Sequence, residues 1–370
     1  MDFYDTFCKN KDIDFINLFG ALSDRDVERA MTRENMGLMD FLTLLSPAAG
    51  KHLEPLAQKA HETTLRHFGK TIQLYTPLYV SDHCDNQCLY CSFNAKNPIA
   101  RTKLTLKEVE REAAFIAATG LRHILLLTGE SRKESPVAYL RDCVGILKRY
   151  FHSIAIEVYP LTEAEYESLV AQGVDGLTIY QETYDEKIYD RIHQSGPKKD
   201  FRFRLAAPER GAGCRMRQVT IGALLGLSDW RKEVFFAGLH AHYLQDRFPD
   251  VEIGVSVPRL RPHAGKFKPL SIVSDKDLVQ IIIALRLFLP RLGISLSTRE
   301  NSQLRDNLVP LGITRLSAGS STGVGERIAT GGQYDAFRQF EIADHRSIAE
   351  MIVSLRDKGY DPILSDWCPI

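Results

Sequence analysis

The sequence predicts an α/β fold: a (β/α)8 barrel of the TIM type with an N-terminal helical extension. Three observations predict it. From residue 71 onward, eight apolar runs of strand length alternate with amphipathic helical stretches, a grammar that implies parallel strands with crossover helices. Eight units over about 300 residues suit a closed barrel. An open doubly wound sheet would want a nucleotide fingerprint after its first strand, and no GxGxxG follows Val80.

The extension comes first. Residues 1–70 show no strand signal. Asp24 or Asp26 is placed to cap a helix through Val27, Ala30 and Met31, a second helix is expected over 36–45 and a third over 53–68. Residues 71–370 are expected to form the barrel together with a C-terminal segment. Its strand runs are 72–80, 123–127, 154–159, 176–180, 219–225, 251–257, 294–297 and 313–316. Thr105-x-x-Glu108, Thr162-x-x-Glu165 and Ser347-x-x-Glu350 are capping boxes, each satisfying free backbone donors at a helix start. Ser274 opens a stretch with Leu278, Ile281, Ile282, Leu285 and Leu289 on one face. No repeat or low-complexity tract interrupts the pattern, and 319–332 is a loop rich in Gly, Ser and Thr.

Composition narrows the function. With 44% hydrophobic and 25% charged residues the chain is globular rather than disordered. Lys+Arg and Asp+Glu are both 47, so no nucleic-acid or membrane surface is advertised. No apolar run reaches the roughly 18 residues that span a bilayer. The first ten residues carry Asp2 and Asp5 and lack the apolar core of a signal peptide, so the expected location is the cytoplasm.

Three of the seven cysteines fall within eight residues, in Cys84-Asp-Asn-Gln-Cys88-Leu-Tyr-Cys91. This loop follows the first strand, on the face where barrel enzymes place their chemistry. Three thiolates can hold three corners of a [4Fe–4S] cubane and leave the fourth iron open to an outside ligand. Zinc is the alternative, with His83 or a distant cysteine completing a tetrahedron and His83, Glu130 or His263 serving a hydrolase. Cys8, Cys143, Cys214 and Cys368 read as bland, as do His240 and His242, which lie two apart on a helix and share no face. Arg259, Arg261 and His263 follow the sixth run, where pocket and plain loop are equally open. At the seventh strand end Arg299 is suited to hold a carboxylate bidentately, unless Glu300 takes it. Ser317 and Ser320 end the eighth, where barrels often bind anions.

The CxxxCxxC spacing, with Tyr90 before its last cysteine, resembles the radical S-adenosylmethionine (SAM) enzymes. From about Thr71 to the end the chain resembles one branch, the aromatic amino-acid lyases. The phrases that carry this are the cysteine loop with Ser92-Phe93, Thr128-Gly129-Glu130, Gln181-Glu182-Thr183-Tyr184, His193-x-x-Gly196-Pro197-Lys198, Ser297-Thr298-Arg299-Glu300 and Ser317-Ala-Gly-Ser320.

The resemblance implies a [4Fe–4S] cluster on Cys84, Cys88 and Cys91, with SAM on the open iron. It implies that Thr128, Gly129 and Glu130 bind the SAM amino group, with Thr128 standing where the family's first Gly would be. Glu182 then contacts the ribose or methionine part, and Arg202 (with Arg204 as the other choice) the SAM carboxylate. Gly222 and Gly226 resemble the glycine-containing strand beside the adenine. Arg299, Ser317 and Ser320 would hold the substrate carboxylate.

The implied reaction is cleavage of L-tyrosine at Cα–Cβ to dehydroglycine and p-cresol, in thiamine thiazole synthesis. Its partners would be a flavodoxin or ferredoxin reductant and a thiazole synthase. A tryptophan lyase remains the rival within the branch, and a non-catalytic scaffold in the thiazole-forming complex the rival outside it. A related maturase makes carbon monoxide and cyanide on a second cluster in an added C-terminal domain. Here Cys368 is the one cysteine beyond Cys214, so no such cluster is expected.

Overall fold

The computed structural model describes residues 2–328 and 337–365. Cys368 and the end of the Gly/Ser/Thr-rich loop lie outside the described residues. All eight predicted runs are strands: β1 (Thr71–Ser81), β2 (His123–Thr128), β3 (Ser153–Glu157), β4 (Gly176–Glu182), β5 (Gln218–Ala223), β6 (Glu252–Ser256), β7 (Gly293–Leu296) and β8 (Arg315–Ser317). They pair in parallel in sequence order, and β1 pairs with both β8 and β2, so the sheet closes into a barrel. Helices starting at the four expected capping residues, Thr105, Thr162, Ser274 and Ser347, form part of its outer shell.

Two details differ from expectation. A ninth strand, β9 (Asp361–Ile363), pairs in parallel with Thr71–Gln73 of β1, on the edge that β2 occupies higher up. Three residues with a proline at the centre carry no periodicity, so the sequence does not announce it. In the extension, the cap of helix Asp24–Met31 is Ser23, and Asp26 is its reciprocal partner, accepting from the Ser23 backbone N–H at 2.9 Å.

Alternation along the strands sets the character of the two faces. Outward residues such as Leu74, Leu78, Val80, Ile154, Ile156, Val219 and Ile221 are buried in the core shared with the helical shell. The inward residues are different. They include Tyr75 and Tyr79 of β1, Ser153 and Glu157 of β3, Thr178 and Tyr180 of β4, Thr220 of β5, Ser295 of β7 and Ser317 of β8. A TIM barrel interior is ordinarily filled by bulky branched apolar side chains. This one sets those polar side chains among Pro77, Leu125, Leu127 and Ala155 and encloses a cavity.

The extension packs on helices Trp230–Arg247 and Asp275–Phe288. Phe3 stacks on His240 at 3.8 Å, and Phe41 stacks on Phe288 at 4.3 Å. The Gln280 side-chain amide donates to the carbonyls of Leu44 and Ser46, both at 2.8 Å. Helix Trp230–Arg247 is therefore buried all round over residues 233–241, because it lies between barrel and extension. His240 belongs to this packing, and burial lowers it to about 3. His242 pairs with Asp246 at 3.0 Å on the other side, as the two-residue offset predicts.

Gly238 admits the Phe41 ring: a Cβ there would lie 2.4 Å from a ring carbon. That ring is held against Phe288 and Phe235 and cannot swing away. Gly238→Ala should therefore lower stability by about 1–3 kcal/mol through overpacking, read as a lower urea midpoint. An unchanged midpoint would mean that the extension yields freely.

Candidate active site

The cysteine loop leaves β1 at the C-terminal end of the barrel and is clamped from two sides. Arg101 donates to the carbonyls of Asp82, Phe93 and Asn94 at 2.7, 2.9 and 2.7 Å. Across from it the segment after β4 meets the loop as a short antiparallel pair, Cys88 opposite His193. The N–H of Gln87 donates to Ser195 at 2.9 Å, and that of Leu89 to Ile192 at 3.0 Å.

His193 locks the pair. Burial, with Lys198 and Arg204 nearby, lowers it to about 2, so it is neutral. Its Nδ1 faces the Tyr189 carbonyl at 2.9 Å and must carry the proton, leaving Nε2 to accept from the Tyr90 hydroxyl at 2.7 Å.

Cys84, Cys88 and Cys91 all line the barrel cavity. Burial pushes the Cys84 thiol up to about 12 and raises Cys88 and Cys91 as well. Three thiolates can persist in such a place only against bound positive charge, which the irons of a cubane supply. Among the described residues no group of three His, Cys, Asp or Glu is gathered as a single-ion site. A cubane takes each thiolate on a separate iron and does not need that convergence. Of the residues a zinc hydrolase would use, Glu130 pairs with Arg204, and the His263 Nδ1 accepts from the Gly265 N–H.

Beside the cysteines four buried charges meet. Glu130 accepts from Arg204 at 2.8 Å and from the Asn86 side chain at 2.8 Å. Glu182 accepts from Lys198 at 2.6 Å, and Lys198 also lies 3.7 Å from Glu130. Burial pushes the Glu130 carboxyl up, but Arg204 and Lys198 outweigh it and hold it below its ordinary value. Asn86 ties the group to the cysteine loop, its oxygen accepting from the Lys198 backbone N–H at 2.8 Å. Gly129 is required by close approach, because a Cβ would lie 2.4 Å from the His83 carbonyl oxygen. Glu182 has φ +71°, at a register shift between β4 and β5.

On the far wall, Arg299 lies 3.4 Å over the Phe340 ring. Glu300 does not pair with it, being taken by Arg259. Among the described residues Arg299 has no carboxylate partner. Ser317 and Ser320 share this wall, and the Ser320 hydroxyl is buried without a hydrogen bond. Arg261 also lines the cavity.

The structure thus gathers Cys84, Cys88, Cys91, Thr128, Gly129, Glu130, Glu182, Arg299, Ser317 and Ser320 around one cavity. Arg202 is not among them. Residues 202 and 204 lie about 200° apart on helix Phe201–Leu205, so only one can face inward. Arg204 faces the cavity, while Arg202 is exposed and stacks on Tyr4 at 4.0 Å. Gly222 does not line the cavity either, its space being filled by the Tyr180 ring and the Ser256 carbonyl.

Six cavity residues carry no role in the sequence reading: Asn86, Lys198, Glu157 and the lumen tyrosines Tyr75, Tyr79 and Tyr180. The period-two spacing Tyr75-x-Pro77-x-Tyr79 was available as a signal. Lys198 ends His193-x-x-Gly196-Pro197-Lys198, and nothing local distinguishes it from Lys199.

Comparison with known proteins agrees with this geometry. The model of the radical SAM superfamily matches residues 78–236, and that of the biotin and thiamin synthesis associated domain matches 256–361. The 2-iminoacetate synthase of Escherichia coli K12 is 40% identical over 343 residues, which are 92% of this chain and 90% of that protein. The FeFe-hydrogenase maturase HydG from Carboxydothermus hydrogenoformans superposes with a TM-score of 0.83 at 33% identity, over 98% of this chain and 82% of that one. Methylornithine synthase shares the fold, with a TM-score of 0.73 at 24% identity, over 91% of this chain and 97% of that one. With the cysteine loop, the barrel and this degree of identity in agreement, the chain belongs to the radical SAM superfamily and, within it, to the 2-iminoacetate synthase family.

Proposed function

We propose that this chain is a radical SAM carbon–carbon lyase that cleaves L-tyrosine between Cα and Cβ, giving 2-iminoacetate (dehydroglycine) and p-cresol for thiamine thiazole synthesis. The observation that carries the reading is the joining of two walls in one cavity. One bears the three cysteines, and the other bears Arg299 without a carboxylate partner beside the unsatisfied Ser320 hydroxyl. The identity to 2-iminoacetate synthase supports the choice of reaction.

Cys84, Cys88 and Cys91 would hold the [4Fe–4S] cluster, which with SAM supplies a single hydrogen-atom abstraction. The protein's share is placement and the exclusion of competing reactions. Glu130, Glu182, Arg204 and Lys198 form a matched set of charges beside the cysteines, suited to the amino, hydroxyl and carboxylate groups of SAM. Arg204 takes the role that the sequence offered to Arg202. Arg299, Ser317 and Ser320 would bind the tyrosine carboxylate, and the lumen tyrosines line the space around the ring. Flavodoxin or ferredoxin as reductant and a thiazole synthase as recipient complete the proposal. No helix among the described residues is long and apolar enough to cross a membrane, in keeping with the proposed cytoplasmic location.

The experiment is anaerobic reconstitution with SAM, dithionite and single aromatic amino acids. Tyrosine should yield p-cresol and glyoxylate (from hydrolysed dehydroglycine) in equal amounts, with about four irons per chain. Carbon monoxide or cyanide at the level of p-cresol, or 3-methylindole derivatives from tryptophan as preferred products, would overturn the reading. Absence of SAM cleavage would leave the scaffold.

Arg204→Ala should weaken SAM binding by about 10- to 100-fold, as expected for a lost charged hydrogen bond, while Arg202→Ala leaves it unchanged. Equal affinities in the two variants would remove Arg204 from the cofactor site.

Arg299→Lys keeps the charge but loses the planar fork, so turnover of tyrosine should fall. Tyramine, which lacks the carboxylate, should be a poor substrate for the parent protein. If tyramine reacts as well as tyrosine, Arg299 is not the anchor.

A further inference from the structure

Resting on the reading of an α-amino acid substrate, we infer that Glu157 is the residue that receives the substrate's α-ammonium group and accepts its surplus proton. Glu157 ends β3 and points into the lumen, opposite no cation that it contacts. Among the described residues, three glutamates line this cavity. Glu130 and Glu182 are engaged by Arg204 and Lys198. The Glu157 carboxylate makes no hydrogen bond or ion pair among the described residues, and it borders open space.

Titratable and charged groups surround it from several elements. Tyr75 and Tyr79 come from β1, Tyr180 and Glu182 from β4, Lys198 and Arg204 from the connection after β4, and Arg299 from the end of β7. Burial and then the Glu182 charge push the Glu157 carboxyl up to about 7, against the pull of Arg299, Lys198 and Arg204.

An α-amino acid carries a carboxylate and an ammonium on one carbon. Among the described residues of this lumen Glu157 is an anion, and Arg299, like Arg261, a cation, without an ion-pair partner, so a zwitterion held by Arg299 and Glu157 satisfies both at once. A hydrogen atom leaves a neutral amine more readily than an ammonium, whose loss of a hydrogen atom would leave an electron-poor aminium radical cation. The step is a simple proton transfer: the N–H bond breaks, an Oε–H bond forms on Glu157, and no electrons change hands. A carboxylate poised near neutrality suits that task.

The test compares L-tyrosine with 3-(4-hydroxyphenyl)propionate, which lacks the amine, as ligands of the reconstituted holo-protein without reductant. In Glu157→Gln, tyrosine affinity should fall about 10- to 100-fold, and the deamino acid should bind as it does to the parent. Tyrosine affinity of the parent should fall as the pH drops through about 7, and the variant should show no such inflection. Equal losses for both ligands, or an unchanged tyrosine affinity, overturn the assignment.

If Glu157→Gln fails to fold, Glu157→Asp decides. It should keep both the preference for tyrosine over the deamino acid and the inflection, and loss of both would overturn the assignment. Should another aromatic amino acid prove to be the substrate, the reading of the reaction fails, while the same comparison with that amino acid and its deamino analogue still tests Glu157.

Discussion

The structure of this active site depends on the mutual neutralisation of Glu130, Glu182, Lys198 and Arg204 out of water. A buried charge is costly unless it is paired, and removing one partner from such a group typically costs about 3–5 kcal/mol. The four are therefore specified together. Their pairing also explains the backbone of Glu182, a non-glycine residue at φ +71°. Such a conformation costs about 1–3 kcal/mol and persists only where its surroundings over-determine it. Here Lys198 holds the side chain at 2.6 Å, and Arg204 holds the Tyr180 carbonyl two residues earlier at the same distance. Through Asn86 this group is tied to the cysteine loop, adding to the hold of Arg101 and of the His193 segment on it.

A polar lumen is possible because the barrel draws its stability from elsewhere. The apolar faces of the strands are buried against the helical shell, and the N-terminal helices cover two of those helices in turn. The floor is closed by side chains rather than by packing. Arg217 pairs with Asp175 at 3.0 Å, and Arg315 with Glu252 at 2.5 Å. β9 fills the edge of β1 beneath β2. With shell and floor in place, the middle of the barrel can hold tyrosines, serines and small residues around open space.

How much of this was legible follows from what kind of signal each part leaves. The eight strands and the capped helices write themselves as local periodicities, and every one of them appears. The cysteine triplet is also local. What the sequence could not show is pairing across the barrel. Arg202 and Arg204 are equivalent as text, and only the rotation of a five-residue helix between them decides which guanidinium is inside. Lys198 reads as one of two adjacent lysines, yet Lys198 is buried against Glu182 while Lys199 pairs with Asp190 outside. Arg299 and Arg259 compete for Glu300, and the outcome, which leaves Arg299 free of a carboxylate, is a fact of three dimensions.

The charge pattern of the lumen carries the argument one step further. Glu130 and Glu182 are balanced by Lys198 and Arg204 close to the cysteines. Beyond them stand Glu157 and Arg299, each within electrostatic reach of the other and neither ion-paired among the described residues. Direct contact would have neutralised them and closed the lumen. Held apart by strands β3 and β7, they keep a separated positive and negative charge in a low-dielectric space. Such an arrangement is unfavourable when empty and is relieved by a guest that carries the opposite pair. A ligand with only a carboxylate leaves Glu157 unmatched, and one with only an amine leaves Arg299 unmatched. On the proposed reading, selectivity for an amino acid would arise from the cost of an unanswered buried charge, with the aromatic walls left to sort one side chain from another.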